Sequence, residues 1–133
     1  MRRFSADYLE TTRRGMWADS REALSDLQLG ECERVLDVGC GTGELTRVLR
    51  EETDGTVVGL DADTDLLAAA GDPTVCGDAT QLPFDDDSFD LVVCQALLIN
   101  LPDPEVAVRE FARVATDRVA AIEPNNAAVT VES

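Results

Sequence analysis

A cluster of glycines and one acid follows the first strongly apolar run of the chain. Its sequence is Asp37-Val38-Gly39-Cys40-Gly41-Thr42-Gly43, directly after Val35 and Leu36. Glycines at the end of a strand let the backbone turn sharply and let a ligand approach it closely. A helix that starts there offers free N–H groups in its first turn. This pattern is typical of a nucleotide-binding turn after the first strand of an α/β sheet.

The spacing of these glycines separates the classes of nucleotide ligand. A dinucleotide fingerprint has the spacing G-x-G-x-x-G and directs a helix N-terminus at a pyrophosphate, whereas Gly39, Gly41 and Gly43 are spaced G-x-G-x-G. Asp37 stands two residues before the first glycine, where its charge would repel a pyrophosphate and suit a ligand with an ammonium group. A P-loop is excluded because the chain contains no lysine. A nicotinamide-dependent oxidoreductase remains a minor alternative.

With these residues the chain resembles the class I methyltransferases that use S-adenosylmethionine (SAM) as methyl donor. The resemblance continues in order through further segments and covers roughly residues 31–122: Val57–Asp61, Gly77–Phe84, Ser88–Val93 and Asn100–Pro104. A lone glycine loop is a weak signal, whereas several ordered segments are a strong one. The resemblance implies that the cofactor is SAM and that the activity is methyl transfer.

The resemblance also assigns roles to residues at the ends of the strands. It implies that the glycine loop passes under the methionine and ribose of SAM, that Asp61 binds the ribose hydroxyls and that Asp78 faces the adenine amine. The two oxygens of Asp61 suit two vicinal hydroxyls, and Asp37 suits the cationic part of SAM. The expected cofactor-binding residues are Asp37, Gly39, Cys40, Gly41, Gly43, Asp61, Ala62, Asp78, Ala79 and Gln95.

Each of these assignments has a purely structural alternative. Asp61 could be a turn residue at the end of a strand, and Asp78 a turn or helix-cap residue. The glycines could serve packing alone. The acidic run 85–87 reads as a solvated loop rather than a metal site, so we expect no metal. The catalytic residues stay unassigned, because the chain has no histidine to act as a general base.

Strand and helix patterns alternate along the chain. Strands are predicted at 34–38, 56–60, 74–76, 89–94 and 118–122, with helices at 44–52, from Asp63 (as N-cap) to residue 70, and at 103–115. Alternation of this kind predicts an α/β fold, a Rossmann-like doubly wound parallel sheet of about five strands in the order 3-2-1-4-5. In the third helix, Glu105 and Arg109 are spaced for an ion pair. In the second helix, Leu66, Leu67 and Ala70 are predicted to face the core.

The ends of the chain are predicted to flank this domain. Residues 1–30 are expected to form an N-terminal helical segment, with a helix from Ser5 to residue 28 broken near Gly15. Residues 31–123 form the SAM-binding domain and residues 124–133 a tail. The family sheet has two further strands, a hairpin beside the fifth, which this sequence lacks. We therefore expect an exposed sheet edge, which invites a homodimer, and we keep a catalytically silent SAM-binding or interaction domain as the alternative function.

Composition restricts the partners and the compartment. The 133 residues suit one domain. The net charge of −16 indicates either an acidic face that repels nucleic acid and membranes or attracts a basic partner, or adaptation to salt, under which net charge says little about partners. No nucleic acid partner is expected. Acid spread along a lysine-free chain is typical of proteins adapted to a salt-rich cytoplasm, where self-repulsion is screened. The chain has no apolar run of about 18 residues and no signal-peptide pattern, so a membrane is not expected. Four cysteines without metal spacing predict reduced thiols in the cytoplasm.

The segment after the fourth strand indicates the substrate class. It reads Cys94-Gln95-Ala96-Leu97-Leu98-Ile99-Asn100. In the family, enzymes that act on amino groups of bases or of glutamine often carry an Asn-Pro-Pro-Tyr type motif at this place, which is missing here. The sequence is more similar to the small-molecule branch. We therefore expect a small-molecule acceptor, whose identity the sequence does not give.

Overall fold

The strands and helices that carry the glycine turn follow one another as the sequence predicts. The computed structural model describes residues 8–10, 29–95, 97–122 and 127–132. Its strands are β1 (Tyr8–Glu10), β2 (Arg34–Val38), β3 (Thr56–Asp61), β4 (Thr74–Cys76), β5 (Phe89–Gln95), β6 (Ala115–Ile122) and β7 (Ala127–Glu132). Its helices are α1 (Glu44–Glu52), α2 (Thr64–Ala70) and α3 (Pro104–Val114), with 3₁₀ turns at Leu29–Glu31 and Leu98–Asn100.

The parallel part of the sheet confirms the predicted order. Five strands pair in the order β4-β3-β2-β5-β6, which is 3-2-1-4-5 when the parallel strands are counted along the chain. The first strand of the alternation, β2, therefore lies at the centre, between β3 and β5. Because parallel strands share one direction, the carboxyl ends of β2, β3 and β5 meet at one edge of the sheet, where open α/β sheets bind ligands.

The predicted open edge beside the fifth strand is wrong. β7 pairs antiparallel with β6, with Ile122 opposite Ala128 and Arg118 opposite Glu132. β1 then pairs antiparallel with β7, with Tyr8 opposite Val129. The tail and the N-terminus thus supply one strand each where the family has a contiguous hairpin, and they cover the edge on which the homodimer prediction depended.

The N-terminal prediction is wrong where the structure describes the chain. Residues 8–10, expected in a helix, form β1. Three residues, Tyr8-Leu9-Glu10, are too few for a periodic pattern to distinguish a strand from a helix, and pairing with β7 decides the outcome. The rest of the predicted helical segment, including Ser5, lies outside the described residues.

The core lies on both faces of the sheet. On one face Val35, Val57 and Leu91 pack with Leu45 and Leu49 of α1. On the other face α3 packs with buried residues of β2, β5 and β6: Leu36, Val38, Val92, Cys94, Val119 and Ala121 meet Ala107, Phe111 and Val114. This two-sided burial explains why the parallel strands are apolar almost throughout.

Helix α2 begins as predicted, but its apolar side chains are less buried than predicted. Asp63 caps it as predicted, because its Oδ1 accepts from the N–H groups of Asp65 and Leu66. Of its residues only Ala70 is buried, and Leu66 is 38% exposed, so the prediction that Leu66 faces the core is wrong. A helix of seven residues at the outer part of a sheet covers too little area to bury its whole apolar stripe.

Arg50 fastens the connection from α2 to β4. Arg50 of α1 donates to the carbonyls of Val57, Gly71 and Pro73, which holds the end of α2 against α1.

The ion pair predicted between Glu105 and Arg109 is present in α3, with 4.0 Å between its charged atoms. None of the helices in the described ranges is long and apolar enough to cross a membrane.

Candidate functional site

The glycine turn connects β2 to α1 through left-handed backbone. Gly39, Gly41 and Gly43 have φ values of +72°, +55° and +88°, which side-chain-bearing residues rarely adopt. The N–H groups of Gly39 and Cys40 both donate to the carbonyl of Leu60, over 2.7 and 3.0 Å. The turn is therefore fastened to the end of β3, the strand that carries the second predicted acid.

The three glycines are required for different reasons. A Cβ on Gly39 would lie 3.0 Å from Cδ1 of Leu97, and a Cβ on Gly43 would lie 2.8 Å from Cα of Ala70. A Cβ on Gly41 would meet nothing within 4 Å. Packing thus accounts for Gly43 and partly for Gly39, whereas the open space at Gly41 is room that a ligand could use.

A cavity of about 200 Å³ lies in front of this turn. It is lined by Asp37, Gly39, Cys40, Gly41, Thr42, Glu44, Leu45 and Gln95. Five of the predicted site residues are among them. Gly43 is not, in keeping with its contact with Ala70.

The start of α1 forms one wall of the cavity. Gly43 occupies the N-cap position and no side chain caps the helix. The first backbone N–H groups of a helix have no partner within it and attract anionic groups. The cavity thus offers backbone donors at Glu44 and Leu45 and an acidic side chain at Asp37, which suits a zwitterionic ligand.

Asp37 is a buried carboxyl group. Its side chain is 1% exposed, and its Oδ2 accepts a hydrogen bond of 2.7 Å from Oγ1 of Thr46. Among the described residues, no group donates to its Oδ1. Burial raises the pKa of Asp37 to about 7, while the Thr46 hydroxyl and the charge of Arg50 act in the opposite direction. A buried carboxylate oxygen without a donor is costly unless a cation or a donor approaches it.

Asp61 is half-buried at the end of β3. Its Oδ2 accepts from the N–H of Gly41 over 2.9 Å, and its Oδ1 accepts from the N–H of Asp63 over 2.9 Å. Each carboxylate oxygen has two lone pairs, so both keep acceptor capacity for a ligand hydroxyl. Asp61 therefore acts as a strand-end turn residue and stands beside the cavity at the same time.

Three further predicted site residues follow β3 and β4: Ala62 comes directly after β3, and Asp78, expected to face the adenine, and Ala79 come after β4. Asp78 is exposed, and its Oδ1 accepts from the backbone N–H and the hydroxyl of Thr80, which lowers its pKa. Ala79 is half-buried against the α3 side of the core, and the carbonyl of Ala62 accepts from the thiol of Cys76. These three residues do not line the cavity described above. Their cofactor roles stay predictions. Asp78 does form a turn with Thr80, which is the structural role named as its alternative.

Cys40 packs inside the turn. A Cβ added to Gly59 would lie 2.9 Å from Sγ of Cys40, so the Cys40 side chain occupies the space that the missing side chain of Gly59 leaves. Burial and the charges of Asp37 and Asp61 raise the pKa of Cys40 to about 11. The thiol therefore stays neutral at physiological pH and is not a nucleophile.

The acidic loop belongs to a structural network rather than to the cavity. Asp86 pairs with Arg113 over 2.9 Å, and Arg113 also donates to Glu110 and to the carbonyls of Leu82 and Phe84. The structure contains no group of three or more metal-ligating side chains within its described ranges. The loop is thus fastened onto α3.

Sequence reasoning missed several residues of the site. Thr42, Glu44 and Leu45 line the cavity because the turn and the first turn of α1 both face it. Thr46 was missed as the partner of Asp37. A signal for Thr46 exists in the sequence, because it is a polar residue within the buried face of α1, between Leu45 and Leu49.

Comparisons with known proteins agree with this geometry. The family model described as "Methyltransferase domain" matches residues 36–121. Demethylmenaquinone methyltransferase of Staphylococcus carnosus is 32% identical over 123 residues, which cover 85% of this chain and 48% of that protein.

Solved structures give the same picture. A putative methyltransferase of Bacillus halodurans superimposes with a TM-score of 0.69 at 27% identity, covering 77% of this chain and 50% of that one. The cyclase SpnF superimposes with a TM-score of 0.68 at 27% identity, covering 89% and 50%. The chain spans about half the length of the curated relatives it matches.

Proposed function

The chain belongs to the class I SAM-dependent methyltransferase family, and from this premise we propose that it binds SAM in the cavity at the glycine turn and transfers a methyl group to a small-molecule acceptor. The observation that carries the proposal is a glycine turn, open at Gly41, beside the buried Asp37, whose Oδ1 has no donor among the described residues. A glycine turn alone would suit many nucleotides, whereas a buried anion beside it suits a cationic one.

The residues present fit such a cofactor. Asp37 would face the ammonium group, and the uncapped N-terminus of α1 would face the carboxylate of the methionine part. Asp61 would accept from the ribose hydroxyls with the lone pairs that Gly41 and Asp63 leave available. Beyond the cavity, we propose that Ala62, Asp78 and Ala79 border the adenine, and that Gln95 at the end of β5 lies near the methionine part.

Bound SAM supplies a methyl group on a positively charged sulfur, which leaves as a neutral thioether. The protein therefore has to align the acceptor and exclude water, and alignment can contribute roughly 7–11 kcal/mol in well-oriented systems. Leu97 packs over Gly39 at the exit of β5 and is a candidate wall of the acceptor site. We assign no general base.

We propose a small molecule rather than nucleic acid as the acceptor. The segment at the end of β5, residues 94–100, has no Asn-Pro-Pro-Tyr type motif of the family members that act on amino groups of bases. The relatives named demethylmenaquinone methyltransferase make small aromatic acceptors of the quinone type the first class to assay.

We further propose that the protein works in a salt-rich cytoplasm, where its acidic surface is screened. A homodimer that pairs strands across a sheet edge would use β1 or β4, the outer strands of the described sheet, because β7 covers the edge of β6.

A second candidate function is a SAM-binding domain without methyl transfer. One observation favours it: a structural relative at 27% identity is a cyclase, so this fold is not confined to methyl transfer. An assay with methyl-labelled SAM and a panel of small aromatic and aliphatic acceptors separates the two. Label in an acceptor product supports the enzyme, whereas tight SAM binding without any labelled product supports the silent domain.

A further inference from the structure

Thr46 is a polar residue in an apolar environment. It is 0% exposed, on the face of α1 that packs against the sheet. Its hydroxyl donates to Oδ2 of Asp37 over 2.7 Å. Asp37 itself lies in the middle of the sheet, with Gly59 and Val93 as its neighbours on β3 and β5. Thr46 is therefore the one described side chain that donates a hydrogen bond to Asp37.

The hydrogen bond distinguishes the two oxygens of the carboxyl group. Oδ2 is occupied by Thr46, whereas Oδ1 has no donor among the described residues and Asp37 lines the cavity. An anion buried in this way gains much from a cation at Oδ1, and a neutral carboxylic acid gains little. The protonation state of Asp37 thus decides how well the site accepts a cation.

We propose that Thr46 is a positioning residue for the cofactor. Its hydroxyl holds Oδ2 of Asp37 and leaves Oδ1 to the ammonium group of the ligand. The same hydrogen bond keeps the carboxyl group ionised, so that it can bind the ammonium group. The inference rests on the proposed function, because it assumes that an adenosyl amino acid occupies the cavity. It adds a residue and a dependence on pH that the proposed function does not require.

The charges around Asp37 set the range of that dependence. Arg50 of α1 favours the ionised form, while Asp61 at the end of β3 disfavours it. Glu44 lines the same cavity, and the neutral thiol of Cys40 lies beside it. Burial outweighs the favourable contributions and raises the pKa of Asp37 to about 7. Ligand binding near neutral pH then releases a proton from the fraction of molecules in which Asp37 is protonated.

The test compares two ligands that differ in the amino-acid part. S-Adenosylhomocysteine carries the ammonium group and 5′-methylthioadenosine lacks it, while both carry adenosine. Their dissociation constants are measured by calorimetry from about pH 5.5 to about pH 9, with the Thr46→Val, Thr46→Ser and Asp37→Asn variants. Circular dichroism confirms that each variant is folded at each pH.

We expect the affinity for S-adenosylhomocysteine to fall about tenfold for each pH unit below the pKa of Asp37, and the affinity for methylthioadenosine to stay constant. Thr46→Val moves the fall to higher pH, because it removes a hydrogen bond that favours the ionised form, and affinity recovers at alkaline pH. Thr46→Ser restores the parent curve. Asp37→Asn removes the dependence on pH.

Two results would overturn the inference and leave the proposed function standing. One is an affinity for S-adenosylhomocysteine that does not change with pH. The other is a loss in Thr46→Val that is equal at every pH, as a merely structural role would produce. If neither adenosyl ligand binds at any pH, the proposed function itself is contradicted, and the inference with it.

Discussion

The N–H of Gly41 donates a hydrogen bond of 2.9 Å to Oδ2 of Asp61, and this contact joins the glycine turn of one strand to the end of the next. The two residues are twenty positions apart in the chain. The contact gives Asp61 a structural role that exists before any ligand binds. A substitution of Asp61 therefore changes the turn as well as the proposed ribose contact, and its interpretation needs variants that separate the two effects.

The glycine variants provide that separation. Gly41→Ala should lower the free energy of unfolding by about 1 kcal/mol, because alanine is strained at positive φ but meets no neighbour. It should weaken SAM binding at least tenfold, because the new methyl group takes up ligand space. Gly43→Ala should cost more stability, roughly 3 kcal/mol, because its Cβ would collide with Ala70. Urea unfolding and calorimetry measure both quantities.

Gly30→Ala is the control for these variants, since Gly30 is exposed and its Cβ would meet nothing within 4 Å. It should change neither stability nor binding by a measurable amount. A Gly41→Ala protein that binds SAM as well as the parent would show that the ligand does not approach the turn.

Asp37→Asn should stabilise the protein while it weakens cofactor binding. The folded-state pKa of Asp37 is about 7, above its ordinary value of 3.8, so the folded protein binds more protons than the unfolded chain between these pH values. Stability of the parent therefore falls as pH rises through this window. The advantage of the Asn variant should grow by roughly 2–3 kcal/mol from about pH 5 to about pH 8. Chemical denaturation measures the free energy of unfolding at each pH. The same dependence on pH in the parent and the variant would contradict a raised pKa of Asp37.

Arg113→Ala should loosen the acidic loop. Arg113 holds Glu110, Asp86 and two backbone carbonyls, so its loss should cost about 2 kcal/mol of unfolding free energy. Arg109→Ala on the same helix is the control and should cost less than about 0.5 kcal/mol, since its pair with Glu105 is exposed. Hydrogen exchange should rise around residues 82–87 in the first variant alone. A loss of unfolding free energy in Arg113→Ala as small as that in Arg109→Ala would mean that the network around Arg113 does not stabilise the protein.

The cysteines should differ in their reactivity. Cys76 is exposed, whereas Cys40 is buried and its pKa is raised to about 11. At about pH 8 only roughly one Cys40 thiol in a thousand is ionised, so iodoacetamide should label Cys76 much faster. Peptide mass spectrometry at short reaction times gives the two rates. Rapid labelling of Cys40 in the folded protein would show that the turn is more open than described.

Much of the central fold could be predicted from sequence because it depends on local signals. Strand β2 is predicted by an apolar run that ends in glycine, and α2 by Asp63, which caps it as expected. The order of the parallel strands follows from the alternation and the family resemblance. The position of the cavity follows from the same signals, since the ends of β2, β3 and β5 meet at one edge, whereas the cofactor roles of the residues there stay predictions.

The missed features depend on contacts between distant parts of the chain. Strand β1 has only three residues, and β1 and β7 each pair antiparallel with a neighbour that sequence patterns do not reveal. The exposure of Leu66 depends on how little of the sheet α2 covers. The role of Thr46 depends on its position nine residues after Asp37, across the glycine turn.

The most direct test of the account is calorimetric titration of the purified chain with SAM, S-adenosylhomocysteine and NAD, in concentrated salt. The parent protein is compared with Asp61→Ala and with Asp54→Ala, an exposed acid in the turn before β3 that serves as control. We expect both adenosyl amino acids to bind and NAD not to bind, and we expect only Asp61→Ala to weaken binding, by at least about tenfold. A folded protein that binds NAD instead, or that binds neither adenosyl ligand, would contradict the proposed function.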